Sequence, residues 1–327
     1  MINQTFKISR QISIEEIEEI YSKNFEKTIY EFFNLESEWM FNAYNEYQDI
    51  DKYLILIYLI QRTLETYNKH FYKVSFNDFY NNPHTEIEKI SIINLFKTLS
   101  ISKETARRKL NELEKEGVLT RKLKNIRINR INYNPKLEKN VYNLSKLLYL
   151  FTSNLKKDHK LEILSRIEIE KKIQINYTQY WNLFFKFQIP YILRNKKIYT
   201  SIDTFYIWGL CALNESYNSK KLPEIGKNEF FSESENFHTN VTKLKDSKGL
   251  NPTTISELSG IPRATVIRKI KFLVDKNFLY KDNQLYKINN NQNSKSFKLQ
   301  NKNFKKNQLE LRNFLKEILN LIKNYKK

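Results

Sequence analysis

Glycine is scarce in this 327-residue chain. There are five, beside six prolines, three tryptophans, four histidines and a single cysteine. A loop that cradles phosphate needs closely spaced glycines, and no such set exists here. Cys211 lies in an apolar run and supplies neither a disulfide framework nor a thiolate zinc site, which points to a reducing, intracellular setting. His70, His84, His159 and His238 are far apart, so no metal and no cofactor is expected. His70, among aromatics, reads as a core or surface histidine. No nucleophile elbow, zinc-protease signature or paired-carboxylate motif appears, and Glu15, Glu16, Glu18 and Glu19 read as a solvated helix face. An enzyme is not expected. The longest unbroken apolar run, residues 53–60, falls far short of the ~20 residues a membrane helix needs. The N-terminus lacks the apolar stretch of a signal peptide, and a cytoplasmic, nucleoid-associated protein is expected.

What the chain has in excess is positive charge, +20 net. Lysine, asparagine, isoleucine, phenylalanine and tyrosine all rise when a genome is A·T-rich, so the total alone decides little. The distribution decides more. Residues 101–130 carry ten Lys/Arg against four acids, residues 261–288 seven against two, and residues 295–327 ten against two. Seven of the twelve arginines fall in the first two segments. Basic charge gathered on a few elements is what neutralising DNA phosphates requires.

Those two segments also repeat each other. Ile101, Thr105, Arg108, Lys109, Leu113 and Leu119 align without a gap on Ile261, Thr265, Arg268, Lys269, Leu273 and Leu279. Ala106, Leu110 and Leu113 follow i, i+4, i+7, as do Val266, Ile270 and Leu273, so each segment predicts a helix with one buried stripe. The opposite face carries Glu104, Arg108, Asn111 and Lys115 in one, and Ala264, Arg268, Lys271 and Asp275 in the other. Ser102 suits an N-cap and Pro262 a helix start. Gly117 and Asn277 sit where each helix must exit through a left-handed residue, and Gly260 falls in a tight turn where a Cβ would crowd its neighbour. Alternating residues then predict hairpins: 118–123 and 126–131 around Lys124-Asn125, and 278–281 and 284–288 around Asp282-Asn283.

Helix, turn, helix and hairpin in this order resemble the winged helix-turn-helix of bacterial transcription regulators, over residues 85–131 and again over 250–288. The resemblance implies double-stranded DNA as partner. In the first copy it implies contacts from Ser102, Lys103, Glu104, Thr105, Arg107, Arg108 and Asn111, with Arg121, Lys122, Lys124 and Arg127 on the wing. In the second it implies Arg263, Ala264, Thr265, Arg268, Lys271 and Lys281. The first copy has only a short apolar segment, residues 95–99, for the leading helix, and the second wing carries only Lys281 and Lys287.

Fainter matches extend the repeat upstream. Phe32-Phe33 answers Phe184-Phe185, residues 65–68 answer 215–218, and residues 77–80 answer 228–231. Each half, of about 160 residues, thus resembles a MarR-type subunit with helices flanking its winged helix. The expected fold is mainly α with small β-hairpin wings, two winged helix-turn-helix domains in tandem joined by connecting helices. The divisions are 1–135, connecting helices at 136–175, 176–290, a polar flexible linker at 291–308, and an amphipathic helix at 309–327. In that last helix Leu311, Phe314, Leu315, Ile318, Leu319 and Ile322 form one stripe, which either packs on its own domain or makes a homodimer. A membrane-surface role is disfavoured, and no small-molecule effector can be named. Three functions fit. The first is a sequence-specific regulator reading two half-sites. The others are a plasmid-type replication initiator or partition protein, and a winged-helix protein-interaction module that does not bind DNA.

Overall fold

The computed structural model describes residues 11–87, 92–122, 125–129, 138–157, 161, 164–220, 248–289 and 291–324. The chain opens with α1 (Ile14–Lys23), α2 (Phe25–Tyr47) and α3 (Ile50–Lys69). A capping box starts α1: the Ser13 hydroxyl accepts from Glu16 N, while the Glu16 carboxylate accepts from Ser13 N. After α4 (Phe76–Asn81) come β1 (His84–Ile87), α5 (Ile92–Thr98), α6 (Lys103–Lys115), β2 (Leu119–Lys122) and β3 (Asn125–Asn129). The three strands form an antiparallel sheet in the order β1-β3-β2. The strand His84–Ile87 was not foreseen in the sequence, being short and only half apolar.

Next come α7 (Glu138–Thr152), α8 (Arg166–Ile175), α9 (Tyr177–Tyr199) and α10 (Ile202–Lys220). They are followed by α11 (Pro252–Ser259), α12 (Arg263–Asp275), the hairpin β4 (Leu279–Asp282) and β5 (Leu285–Ile288), and α13 (Lys295–Asn324). Asn283 and Gln284 make the hairpin turn, one residue later than the sequence suggested, because Asp282 still pairs with Leu285. Residues 228–231, matched above to 77–80, lie outside the described residues.

The local architecture of residues 13–50 recurs 152 residues later. Ser165 and Glu168 form the same capping box as Ser13 and Glu16. Asn24 and Asn176 sit between helices of ten and 23 residues. Gln48 and Thr200 both end their helices with positive φ, 51° and 65°. Aromatic packing repeats as well: Trp39 and Tyr47 meet Tyr53 with centroids 5.0 and 5.8 Å apart, and Tyr191 and Tyr199 meet Phe205 at 5.8 and 5.5 Å. The Phe32-Phe33 and Phe184-Phe185 match keeps this spacing. The match of 65–68 to 215–218 does not, since a two-residue slip on a helix turns side chains to a different face.

One continuous core runs through both parts. Helix α2 packs on α10, and α9 packs on α3. Helix α7 lies against α2 and α8, and α13 against α9 and α1. Where these parts cross, Gln188 donates to both carboxylate oxygens of Glu36, at 3.3 and 3.4 Å, from the position 152 residues on. Burial pushes the Glu36 carboxyl up to about 8, against the smaller lowering effect of the Gln188 hydrogen bond.

At the C-terminal end one expectation fails and one open choice is decided. Residues 295–308 are not a linker but the first half of the 30-residue helix α13. Their polar side chains are structural: Gln300 donates to the Tyr199 hydroxyl (2.9 Å), Asn303 to Asn195 (2.9 Å), and Asn307 accepts from Arg194 (2.9 and 3.1 Å). A stripe built of amides is invisible to an apolar period. The apolar stripe from Leu311 to Ile322 is buried within its own chain, so it does not offer a homodimer surface. Among the described residues no helix is long and apolar enough to cross a membrane.

Candidate nucleic-acid interface

Helix α6 is held by the cap the sequence promised. The Ser102 hydroxyl accepts from Thr105 N at 3.0 Å and donates to Thr105 Oγ1 at 2.9 Å, so both hydroxyls are engaged within the protein. Ala106, Leu110 and Leu113 are buried beneath it. Gly117 takes φ 71° at the exit, and the chain turns into β2. Below the helix Lys109 pairs with Asp49, the N-cap of α3, while Lys52 reaches Glu116 (2.5 Å) and Glu112 (3.4 Å). These pairs seat α6 on the helical body.

Lys103, Glu104 and Arg107 are exposed on α6 and make no ion pair among the described residues. Arg108 is exposed but lies 2.9 Å from Glu112. Arg121 is committed to its own wing base: its backbone N–H, Nε and Nη2 donate to Glu114 at 3.0, 3.1 and 2.5 Å, and Nη2 also donates to Asn111 at 2.6 Å. The Asn111 carbonyl is thus already used. Arg127 on β3 pairs with Glu86 on β1 at 2.7 Å, in the open. Lys122 ends β2, and Lys124 lies outside the described residues. The Arg121 guanidinium holds the Glu114 carboxyl below its ordinary range. For Glu112, burial acts upward, but Lys109, Lys52 and Arg108 together outweigh it and the carboxyl is lowered. Sequence reasoning missed these acidic partners, although Arg108 and Glu112 stand at the i, i+4 spacing that signals a pair.

Residues 252–288 have the same element order with different chemistry. Asn251 caps α11, its side chain accepting from Thr254 N at 2.8 Å. Gly260 ends α11 at φ 73°, where a Cβ would stand 2.7 Å from the Asn45 Oδ1. Helix α12 starts after Pro262 and buries Val266, Ile270 and Leu273. Asn277 exits it at φ 58°. Lys269 donates to the Ser201 hydroxyl at 2.8 Å, the counterpart of the contact between Lys109 and Asp49. Among the described residues Arg263 donates only to the Thr253 hydroxyl, at 3.2 Å. Ala264, Arg268, Lys271 and Lys281 are exposed, Thr265 is half-buried, and among the described residues none of the cations Arg268, Lys271 and Lys281 has a carboxylate partner. Ile267, not singled out in the sequence, shares this face and is 42% exposed.

Residues 86–130 match the DeoR-like helix-turn-helix domain, from the end of β1 to just past β3. The chain matches no curated protein and no solved structure. The domain match, together with the β1-α5-α6-β2-β3 order, supports a DNA-binding transcription regulator of the winged helix-turn-helix kind.

Proposed function

We propose that this protein is a sequence-specific double-stranded DNA-binding regulator that reads two half-sites, one through α6 and its wing and one through α12 and its wing. On this reading the chain is a covalent pseudo-dimer acting on the nucleoid in the cytoplasm, and no second copy is needed to span a site. The observation that carries it is the pair of equivalent seats: Lys109 on the N-cap residue Asp49, and Lys269 on the N-cap residue Ser201. Equivalent side chains fix both helices to a body whose own helices recur at a spacing of 152 residues. Exposed Arg107, Arg108, Arg268 and Lys271 supply the groups that contact phosphates and guanine edges. Helix α13, seated on α9 and α1, belongs to the body and not to an interface.

Selection of bound sequences from random duplexes tests the proposal. Two unlike half-sites at fixed spacing are expected, occupied by one chain. Enrichment of one short half-site, or binding by two chains per duplex, would sink the two-headed reading. No salt-dependent duplex binding at all would sink the regulator itself.

A further inference from the structure

The exposed faces of α6 and α12 differ at two aligned positions. Arg107 of α6 aligns with Ile267 of α12, and Glu104 with Ala264. All four side chains are exposed. An i, i+3 pair that is charged on α6 is therefore apolar on α12. Elsewhere on α12, Phe272 and Val274 are partly buried against the core, whereas Ile267 is 42% exposed.

A single exposed isoleucine is ordinary on a protein surface. Its surroundings here are not. Arg263 stands one turn before Ile267, Arg268 beside it and Lys271 one turn after it. All three are exposed, and among the described residues none has a carboxylate partner. The one acid of α12, Asp275, is its last residue. Cations around an apolar side chain suit an occupant that is anionic overall and offers a small apolar group between its charges. Duplex DNA does so in the major groove, where thymine presents a C5-methyl group among the base edges. An RNA helix does not, because its major groove is too deep and narrow for side chains to read.

We infer that Ile267 is a specificity-determining residue that packs on the C5-methyl group of a thymine in the α12 half-site, next to the guanine or phosphate taken by Arg268. Ala264, one turn earlier and bearing only a methyl group, lets the base edge approach the helix. At the aligned positions of α6, Glu104 suits cytosine and Arg107 suits guanine or phosphate. The two half-sites therefore differ at the base these residues meet. Helix α12 anchors the chain through its cations and reads this one base through Ile267. The inference rests on the DNA-binding proposal and deepens it.

In the duplex that selection yields, each thymine on either strand is replaced in turn by uracil, which pairs alike and lacks only the methyl group. One replacement is expected to weaken binding of the full chain about fourfold, the worth of burying one methyl group. Ile267→Val should keep most of that discrimination. Ile267→Ala should abolish it, binding the thymine and uracil duplexes equally, with thermal melts showing both variants folded. A fresh selection with Ile267→Arg should lose the thymine preference at that position and leave the other half-site unaltered. If no thymine methyl matters, if the methyl effect survives Ile267→Ala, or if Ile267→Arg selects the same thymine, the inference is overturned while the DNA-binding proposal stands. A chain that binds no duplex overturns both.

Discussion

Arg108 on α6 lies 2.9 Å from Glu112, whereas Arg268, 160 residues on at the aligned position of α12, has no carboxylate partner among the described residues. The contrast extends outward. Arg121 and Arg127 are held by Glu114 and Glu86, while Lys271 and Lys281 stand exposed without such partners. Two elements with matching sequence motifs thus present different electrostatics to a duplex. At α12 the cations are available at once. At α6 and its wing, contacts made by Arg108, Arg121 or Arg127 must replace an internal pair, so their net gain is smaller. Of the cations expected to touch DNA there, only Lys103 and Arg107 are as available among the described side chains. On the proposed function, the α12 side anchors the protein and the α6 side adds discrimination.

The largest expected effect concerns the body that carries both sides, where Glu36 meets its counterpart Gln188. Its folded value, about 8, lies above the 4.5 of a free carboxyl, so the folded chain retains a proton that the unfolded chain gives up. The resulting stabilisation is full below about pH 4.5 and is lost as the pH rises through about 8. Glu36→Gln makes the two positions alike. It should remove roughly 3 kcal/mol of that alkaline loss, read from urea melts between pH 5 and pH 9. Glu215, buried and likewise raised to about 8, and Asp203, also raised by burial, contribute to the slope that remains. A wild-type pH profile no steeper than that of the variant would refute a neutral Glu36.

Next come the two seats. Lys109 pairs with a carboxylate, whereas Lys269 donates to a hydroxyl and acts only at longer range on the Asp203 carboxyl, which burial raises and the Lys269 charge lowers. Lys109→Met should cost about 3 kcal/mol of stability, since it strands a partly buried Asp49. Lys269→Met should cost less, about 1–2 kcal/mol, one ordinary hydrogen bond together with the lost attraction to Asp203. Equal losses in chemical denaturation would show that the two seats are energetically the same.

Base and phosphate readout should follow. Arg268→Ala is expected to cost ~1–3 kcal/mol of duplex affinity, and Arg108→Ala less than about 1 kcal/mol because Glu112 already holds that guanidinium. Glu112→Gln should sharpen the point by raising affinity, and it should make a following Arg108→Ala costlier. If Arg108→Ala is the more damaging substitution in the wild-type background, the ranking of the two sides is reversed.

The smallest effect is on the wings. Lys281→Ala should lower the salt slope of binding by about 0.9, one phosphate contact. Arg121→Ala should leave the slope nearly unchanged, because that side chain is spent on Glu114 and Asn111, and should instead loosen the base of the first wing. Titrations at several salt concentrations separate the two.

The sequence carried its backbone landmarks well. Ser102 caps α6, Gly117 and Asn277 take positive φ where exits were expected, and Gly260 takes positive φ in the expected tight turn. Such positions are legible because each depends on a few neighbouring residues and on which side chains tolerate the left-handed region. The buried stripes of α6, α12 and the end of α13 were legible for a similar reason: an apolar face repeats every turn. The first half of α13 was not, because its face toward the body is made of asparagine and glutamine, and an amide is apolar or polar in effect only once its partner is known. Asn195, Tyr199 and Arg194, more than 100 residues away, are those partners.

The chemistry of the interface divides in the same way. Sequence by itself determined where the helices begin and end, which face of each is buried, and that basic residues cluster on the exposed faces, because all of these follow from local spacing. Tertiary structure alone decided which of those cations are already neutralised. Glu86, Asp49 and Glu114 reach Arg127, Lys109 and Arg121 only after the sheet and the helical body have formed, and a charge is available to DNA only where folding has left it without a closer opposite charge.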